Sequence, residues 1–214
     1  KGNGDSTLCL FPERVTPNHH ALANAFVLLD NFYVNAEVSA DGHNWSMGAY
    51  ANDFVEKTWP TSYGGRGGNY DYEGTRKIAY TKDGFIWDNC ARAGVSYRSY
   101  GEVIADGKAT MESLEGHYDK DFPEYNLSIP DQVRFEKWKH DFDSLLAKDA
   151  VPQLSTIRLP NNHTAGASIG MPTPRAMVAE NDQALGKLVE HLSKSKIWKE
   201  SAIFVLEDDA QNGP

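Results

Sequence analysis

The chain has 214 residues, of which 40% are hydrophobic and 24% charged, with a formal net charge of −9. This length and apolar content exclude a disordered chain and favour one folded domain over residues 1–214, and no apolar run approaches the roughly 20 residues that a membrane-spanning helix needs. The acidic balance argues against a nucleic-acid partner, because contacts to the phosphate backbone need a local excess of Lys and Arg.

Turn signals separate segments of helical and extended periodicity all along the chain. Helical spacing of apolar residues predicts helices, in chain order, at 17–30, 39–58, 85–93, 129–146 and 174–193. Runs rich in apolar, aromatic or β-branched residues predict strands at 32–38, 95–100, 154–159 and 202–206. Two polar, glycine-rich segments predict a rim loop at 59–75 and an insertion over the site at 101–128. Strands that alternate with helices predict an α/β fold with a mainly parallel sheet and helices on both faces.

The last predicted strand, residues 202–206, is followed directly by three acidic residues. The five apolar residues do not alternate with polar ones, which is typical of a central parallel strand covered on both faces. Glu207, Asp208 and Asp209 would repel one another unless a cation lies among them. The alternative is a solvated acidic turn without a ligand.

Reactive side chains follow three of the predicted strands. Because the carboxyl ends of parallel strands meet at one edge of a sheet, we expect these side chains to lie close together. A hydroxyl at a helix N-terminus is stabilised as an alkoxide by backbone N–H groups, and a divalent metal would activate it further as a nucleophile. The alternatives are an ordinary helix-capping serine and a histidine bound to the backbone of a turn. The three sets are Ser39 with Asp41 and His43; His163 with Asn161 and Asn162; and Glu207 with Asp208 and Asp209.

Other site chemistries fit the sequence less well. The sequence around Ser39, VSADG, is not the Gly-x-Ser-x-Gly elbow of an α/β-hydrolase. Cys9 and Cys90 are too few for a zinc module or a disulfide framework, although one bridge between them is compatible with the sequence. A metal-assisted displacement at Ser39 therefore fits better.

Three motifs follow one another along the chain: LLDNFYVNAEVSADGHNWS at 28–46, LPNNHTAG at 159–166 and FVLEDDAQNG at 204–213. Together they resemble the phosphoesterase family of bacterial phospholipases C and acid phosphatases, within the alkaline phosphatase superfamily. The resemblance covers nearly the whole chain. It implies an alkaline-phosphatase-like three-layer sandwich, here without its first and last elements, and the hydrolysis of phosphate esters.

The resemblance also implies roles for individual residues. Ser39 matches the metal-bound nucleophile that forms a phosphoserine intermediate, and Asp208 and Asp209 match acidic metal ligands. His163 matches a catalytic histidine near the phosphate, in a motif that reads Asn-Asn-His-Thr here and Asn-Asp-His-Thr in the family. One or two divalent ions are expected, drawn from calcium, zinc, magnesium and manganese. Residues expected to contact the substrate are His43, Asn44, His117 and Asn162.

Two features of the family are missing from this sequence. Members carry a Glu-Asn pair on their first strand and usually an Asp-His pair beyond the acidic strand, so the resemblance implies the middle of a longer enzyme, in some relatives preceded by a β-propeller. It further implies a periplasmic or secreted bacterial protein acting on a small-molecule or lipid phosphate ester. A degenerate or truncated member that acts as a non-catalytic binding domain is the alternative. A sulfate-ester hydrolase is disfavoured, because Ser39 lacks the Cys/Ser-x-Pro-x-Arg context of that class.

Overall fold

The computed structural model describes residues 9–63, 66–67 and 74–210, and within them the chain forms six α-helices and four short strands. The helices are Pro17–Ala25 (α1), Ser39–Gly48 (α2), Asp53–Ser62 (α3), Ile86–Ala93 (α4), Asp131–Ala147 (α5) and Pro174–Ser193 (α6). The strands are Tyr97–Tyr100 (β1), Ile104–Ala105 (β2), Lys108–Ala109 (β3) and Leu154–Ile157 (β4). The fold is therefore α/β, as the sequence predicts. None of the helices in the described ranges is both long enough and apolar enough to cross a membrane.

Contacts divide the chain into two compact units. The helical unit contains the described parts of Lys1–Phe32, Asp121–Val151 and Arg158–Ile203. The sheet unit contains the described parts of Tyr33–Lys120, Pro152–Ile157 and Phe204–Pro214. Because each unit is assembled from several chain segments, its fold depends on contacts between residues far apart in sequence. The prediction of one domain over residues 1–214 stays a prediction.

The sheet unit is built on the parallel pair β1 and β4, in which Tyr97 lies opposite Leu154 and Tyr100 opposite Ile157. Strands β2 and β3 form a hairpin whose two turn residues, Asp106 and Gly107, both have positive φ, as the tightest hairpin turns require. This hairpin lies near the start of the segment predicted as an insertion, yet the segment contributes three residues to an apolar cluster of the sheet unit. The cluster consists of Phe85, Trp87, Tyr97, Val103, Met111 and Leu114.

The helical unit is organised around α6, which packs against α1 and α5. The buried Asp182 of α6 accepts hydrogen bonds from the backbone N–H groups of Asn18, at 3.1 Å, and His19, at 2.7 Å. Thr16, the residue before α1, donates its hydroxyl to the carbonyl of Phe11 at 3.2 Å and accepts no hydrogen bond from a described N–H group of the helix. The first N–H groups of α1, which have no partner inside the helix, are therefore satisfied by a carboxylate from another helix.

Two predicted strands are wrong. Residues 32–38 contain bends but no strand, and residues 202–206 have no regular secondary structure and are exposed, with Phe204 84% exposed. An apolar run indicates that a segment tends to be buried. A strand also needs a neighbouring segment whose N–H and C=O groups hydrogen-bond with its own. Among the described residues, strand ladders join only β1 with β4 and β2 with β3. The wide sheet of a three-layer sandwich stays a prediction.

Two predicted helices have other bounds, since the first ends at Ala25 instead of residue 30 and the predicted helix 39–58 is divided into α2 and α3, with Ala49 in the left-handed conformation after α2. The other boundaries follow the sequence signals closely. Helix α6 has the predicted bounds, and Gly94 ends α4 in the left-handed conformation, with φ of 66°. Helix α3 continues to Ser62, into the segment predicted as the rim loop, and most of the rest of that loop lies outside the described residues. Cys9 and Cys90 are both free thiols.

Candidate functional site

Helix α2 carries Ser39 as its first residue. The preceding Val38 is extended, and its N–H donates to Asp41 Oδ1 at 3.2 Å, so that Asp41 closes the start of the helix. Asp41 is buried, and burial raises the pKa of its carboxyl group. Asp41 thus has a structural task, and the half-buried hydroxyl of Ser39 is available for another partner.

The hydroxyl of Ser39 donates a hydrogen bond to the carboxylate of Asp209, with 2.9 Å between Oγ and Oδ2. The two residues are distant in sequence, and their proximity is the arrangement that the motifs predict. A carboxylate acceptor makes this a charge-assisted hydrogen bond. The contact joins a potential nucleophile to a potential base.

Gly42 allows the acidic segment to lie directly against α2. A Cβ atom at this position would lie 2.1 Å from the carbonyl oxygen of Asp208 and 2.6 Å from its carbonyl carbon. Real side chains do not approach a backbone so closely, so a residue other than glycine would displace Asp208. The glycine of the Ser-Ala-Asp-Gly motif is therefore required by the packing of the site.

His43 lies between two carboxylates. Its Nδ1 is 2.6 Å from Glu102 Oε1, and its Nε2 is 3.4 Å from Asp208 Oδ2. Because a carboxylate can only accept, Nδ1 carries the proton of the short hydrogen bond, and Nε2 is the nitrogen that faces Asp208. The side chain of Glu102 is only 6% exposed and that of His43 13%, whereas that of Asp208 is 35% exposed. Of these three residues, Glu102 is thus the most buried and Asp208 the most exposed.

Glu102 was not expected from the sequence, although a signal for it exists. It follows the C-terminal end of β1, separated from Tyr100 by a single glycine. The same strand-end rule that selects the other candidates would have selected it, had residues 101–128 not been assigned to an insertion. We refer to Ser39, His43, Glu102, Asp208 and Asp209 as the Ser39 site.

Two other predicted substrate-contacting residues of the sheet unit have different surroundings. Asn44 is buried and donates its side-chain amide to the carbonyl of Ala79 at 2.8 Å. The exposed ring of His117 stacks on Tyr97, with 4.4 Å between ring centroids. In the described structure neither residue makes a hydrogen bond or ion pair with the Ser39 site. Their contact with a substrate stays a prediction.

His163 and Asn162 belong to the helical unit, in a short 3-10 helix, Pro160–His163. His163 is exposed, donates its Nδ1–H to the carbonyl of Thr164 at 2.9 Å and packs edge-on against Tyr125. Asn162 is half-buried. The 3-10 helix is anchored because the carboxylate of Asp131 accepts the N–H of the preceding residue of the motif, Asn161, at 3.0 Å.

The types of donor atom in the Ser39 site suit a divalent cation. The Ser39 hydroxyl and the carboxylates of Asp208 and Asp209 are hard oxygen donors of the kind that calcium, magnesium and manganese prefer, and a histidine such as His43 is a ligand that zinc accepts. Within the described ranges, no group of three or more His, Cys, Asp or Glu residues is arranged to hold a metal ion. The donors are therefore chemically appropriate, but those in the described ranges do not by themselves form a complete coordination shell.

Comparison with known proteins identifies the family. The model of the phosphoesterase family matches residues 1–212, a span that includes all the residues of the Ser39 site and the motif around His163. Searches of curated proteins and of solved structures gave no match. Since the family match extends over nearly the whole sequence, the chain belongs to the phosphoesterase family.

Proposed function

We propose that this chain hydrolyses phosphate esters through a phosphoserine formed on Ser39, with one or two divalent metal ions held at Asp208 and Asp209. Membership of the phosphoesterase family implies the hydrolysis of phosphate esters in general. The finer proposal rests on one observation, the 2.9 Å hydrogen bond from Ser39 Oγ to Asp209 Oδ2 at the N-terminus of α2. A hydroxyl held against a base at a helix N-terminus has the surroundings of an activated nucleophile.

In the proposed first step, Ser39 Oγ attacks phosphorus. The new O–P bond forms as the P–O bond to the leaving alcohol breaks, and the hydroxyl proton passes to Asp209 Oδ2. The departing oxygen takes a proton from water, and a part for His163 in this reaction stays a prediction. Water then cleaves the phosphoserine, which releases the phosphate product and restores the Ser39 hydroxyl. The first N–H groups of α2 favour the negative charge that develops near Ser39.

A divalent cation, when bound, would neutralise charge on the phosphoryl oxygens and lower the pKa of the Ser39 hydroxyl. Ser39, Asp208 and Asp209 are the residues that we propose as its ligands. Calcium, magnesium, manganese and zinc all remain candidates, with the carboxylates favouring the first three.

The Asp208→Asn variant should bind the divalent metal at least about 10-fold more weakly, because an amide oxygen lacks the negative charge of the carboxylate. Isothermal titration calorimetry on the metal-free full-length protein measures the affinity. Asp106→Asn, in the β2–β3 turn, is the matched control and should bind like the wild type. An affinity unchanged by Asp208→Asn would count against ligation by this residue.

The Gly42→Ala variant should lower turnover by about 100-fold, because the new methyl group displaces Asp208 and its neighbour Asp209 from Ser39. The helix itself should persist, since alanine favours helix over glycine by about 1 kcal/mol. Steady-state turnover and circular dichroism separate the two effects. Full activity with intact helix content would show that the contact between Gly42 and Asp208 has no role.

The alternative, a non-catalytic binding domain, is favoured by one observation: within the described ranges no group of three or more potential metal ligands converges. Elemental analysis of the full-length protein, combined with turnover of a panel of phosphate monoesters and diesters before and after chelation, separates the two functions. The proposal predicts bound divalent metal and turnover that chelation removes. A metal-free protein that turns over no ester in the panel would favour the binding domain.

A further inference from the structure

We infer that Glu102 is a positioning residue that acts through His43, holding the imidazole so that Nε2 stays directed at the carboxylate of Asp208. The inference rests on the proposed function, because Asp208 is one of the proposed metal ligands. It adds to the Ser39 site a residue with no assigned role and gives His43 a task other than binding substrate.

The contact between Glu102 and His43 is the first support. The distance of 2.6 Å between Oε1 and Nδ1 is that of a strong hydrogen bond to a charged acceptor. The carboxylate of Glu102 is nearly fully buried, and a buried carboxylate is costly unless a donor satisfies it. The ring N–H of His43 is such a donor, so the interaction places a proton on Nδ1 and fixes the plane of the ring.

The backbone around Glu102 is the second support. Gly101 has φ of 86°, and Val103, a β-branched residue, has φ of 58°, a conformation that such residues rarely adopt. The strained turn is held by the fully buried hydroxyl of Ser99, which donates to the carbonyl of Glu102 at 2.7 Å, and by Thr110, whose N–H donates to the carbonyl of Val103 at 3.2 Å. Strain of this kind persists where surrounding contacts enforce it, often at functional sites. The backbone that carries the Glu102 side chain is therefore held in place by these contacts.

The connection to the nucleophile is the third support. His43 follows Gly42, against which the backbone of Asp208 lies, and its Nε2 is 3.4 Å from the Asp208 side chain. Because the hydrogen bond with Glu102 holds the ring at Nδ1, it also sets the position of Nε2 next to Asp208. With the Asp208 side chain oriented towards His43, the next residue along the chain, Asp209, keeps its hydrogen bond with Ser39.

A double-mutant cycle in the full-length protein tests the inference with a chromogenic phosphate ester. Glu102→Ala should lower kcat by about 10- to 100-fold with little change in KM, as for other residues that orient a functional side chain. In a His43→Ala background the same substitution should cause no further loss, because the ring that Glu102 orients is absent. Glu112→Ala, an exposed acidic residue of the same unit, is the control and should leave turnover unchanged. Equal losses from Glu102→Ala in both backgrounds would overturn the inference.

Nuclear magnetic resonance of the histidine rings gives a readout that does not depend on activity. The wild type should show a strongly downfield Nδ1–H proton signal, which is lost in His43→Ala and Glu102→Ala and kept in Glu112→Ala. Should Glu102→Ala fail to fold, Glu102→Gln keeps an oxygen acceptor without its charge and should shift the signal upfield. The inference is contradicted if the wild type lacks this signal. It is also contradicted if the Glu102→Gln variant shows the signal at the wild-type position. A wild type that turns over no phosphate ester contradicts the proposed function alone, and the ring signal still decides the role of Glu102.

Discussion

Replacing Ser39 by alanine is expected to abolish turnover of a chromogenic phosphate ester by the full-length protein. If Ser39 Oγ is the atom that accepts the phosphoryl group, its removal eliminates the covalent route, and losses on the order of 10⁴-fold or more are typical of removing such a nucleophile. The fold should survive, because the hydroxyl makes one hydrogen bond within the described residues, to Asp209, worth about 1 kcal/mol, and Asp41 rather than Ser39 closes the start of α2.

Ser46→Ala is the matched control for this substitution. Ser46 lies on the same helix, and its hydroxyl contacts the carbonyls of Gly42 at 3.0 Å and His43 at 3.3 Å, both within α2. Its loss should leave turnover close to that of the wild type. Undiminished turnover by Ser39→Ala would refute the assignment of the nucleophile, and equal losses in both variants would indicate damage to α2 instead.

The second large effect is expected in the helical unit, where Asp131 is fully buried. Its carboxylate accepts hydrogen bonds from Arg134 at 3.2 Å, from the N–H of Asn161 at 3.0 Å and from the side chain of Asn181 at 2.9 Å. Asp131→Ala leaves the buried guanidinium of Arg134 without its counter-ion and releases the 3-10 helix that carries His163. We expect the free energy of unfolding to fall by about 3–5 kcal/mol at pH 7.

Urea denaturation followed by tryptophan fluorescence measures this loss. Glu136→Ala, an exposed acid on the same helix, is the control and should change the free energy of unfolding by no more than about 0.5 kcal/mol. A loss for Asp131→Ala as small as that of the control would show that the network around Asp131 contributes little to stability.

The pH dependence of the stability of the same variant shows whether burial or ion pairing has the larger effect on the Asp131 carboxyl group. Burial raises the pKa of Asp131 from 3.8 to about 6, against the lowering effect of its hydrogen-bond donors and Arg134. The folded state therefore binds more protons than the unfolded state between these values, so the contribution of Asp131 to stability is complete below pH 3.8 and is lost as pH rises through about 6. The difference in the free energy of unfolding between wild type and Asp131→Ala should increase by up to about 3 kcal/mol from pH 7 to pH 4. If this difference became smaller in acid, the effect of pairing with Arg134 on the pKa of Asp131 would be larger than the effect of burial.

Local signals in the sequence predict several elements well, because those signals determine the local backbone. Helix α6 has a periodic apolar face and α4 ends at a glycine, and both features can be recognised without knowledge of distant contacts. The position of Ser39 at the start of α2 was predicted in the same way. The proximity of Ser39 and Asp209 was expected from the motifs and also from two predicted strands, 32–38 and 202–206, that the structure does not contain. The catalytic and metal-binding roles of these residues stay predictions.

What the sequence does not predict depends on contacts between distant segments. Residues 202–206 have the composition of a central strand, yet composition does not specify which chain pairs with them, and in the described structure they are exposed. Glu102 was missed because its partner, His43, lies far away in sequence and because the segment around it has no periodicity. The capping of α1 by Asp182 from α6 is a similar case, since Asp182 lies far from α1 in the sequence.

Trapping of the covalent intermediate tests the central claim most directly. The full-length protein, supplied with divalent metal, is mixed with a phosphate ester, quenched in acid during turnover and digested for peptide mass spectrometry. We predict phosphate on the peptide that contains Ser39, and none on that peptide in the Ser39→Ala variant. Sustained turnover with Ser39 unmodified, or with the phosphate on a different residue, would contradict the account.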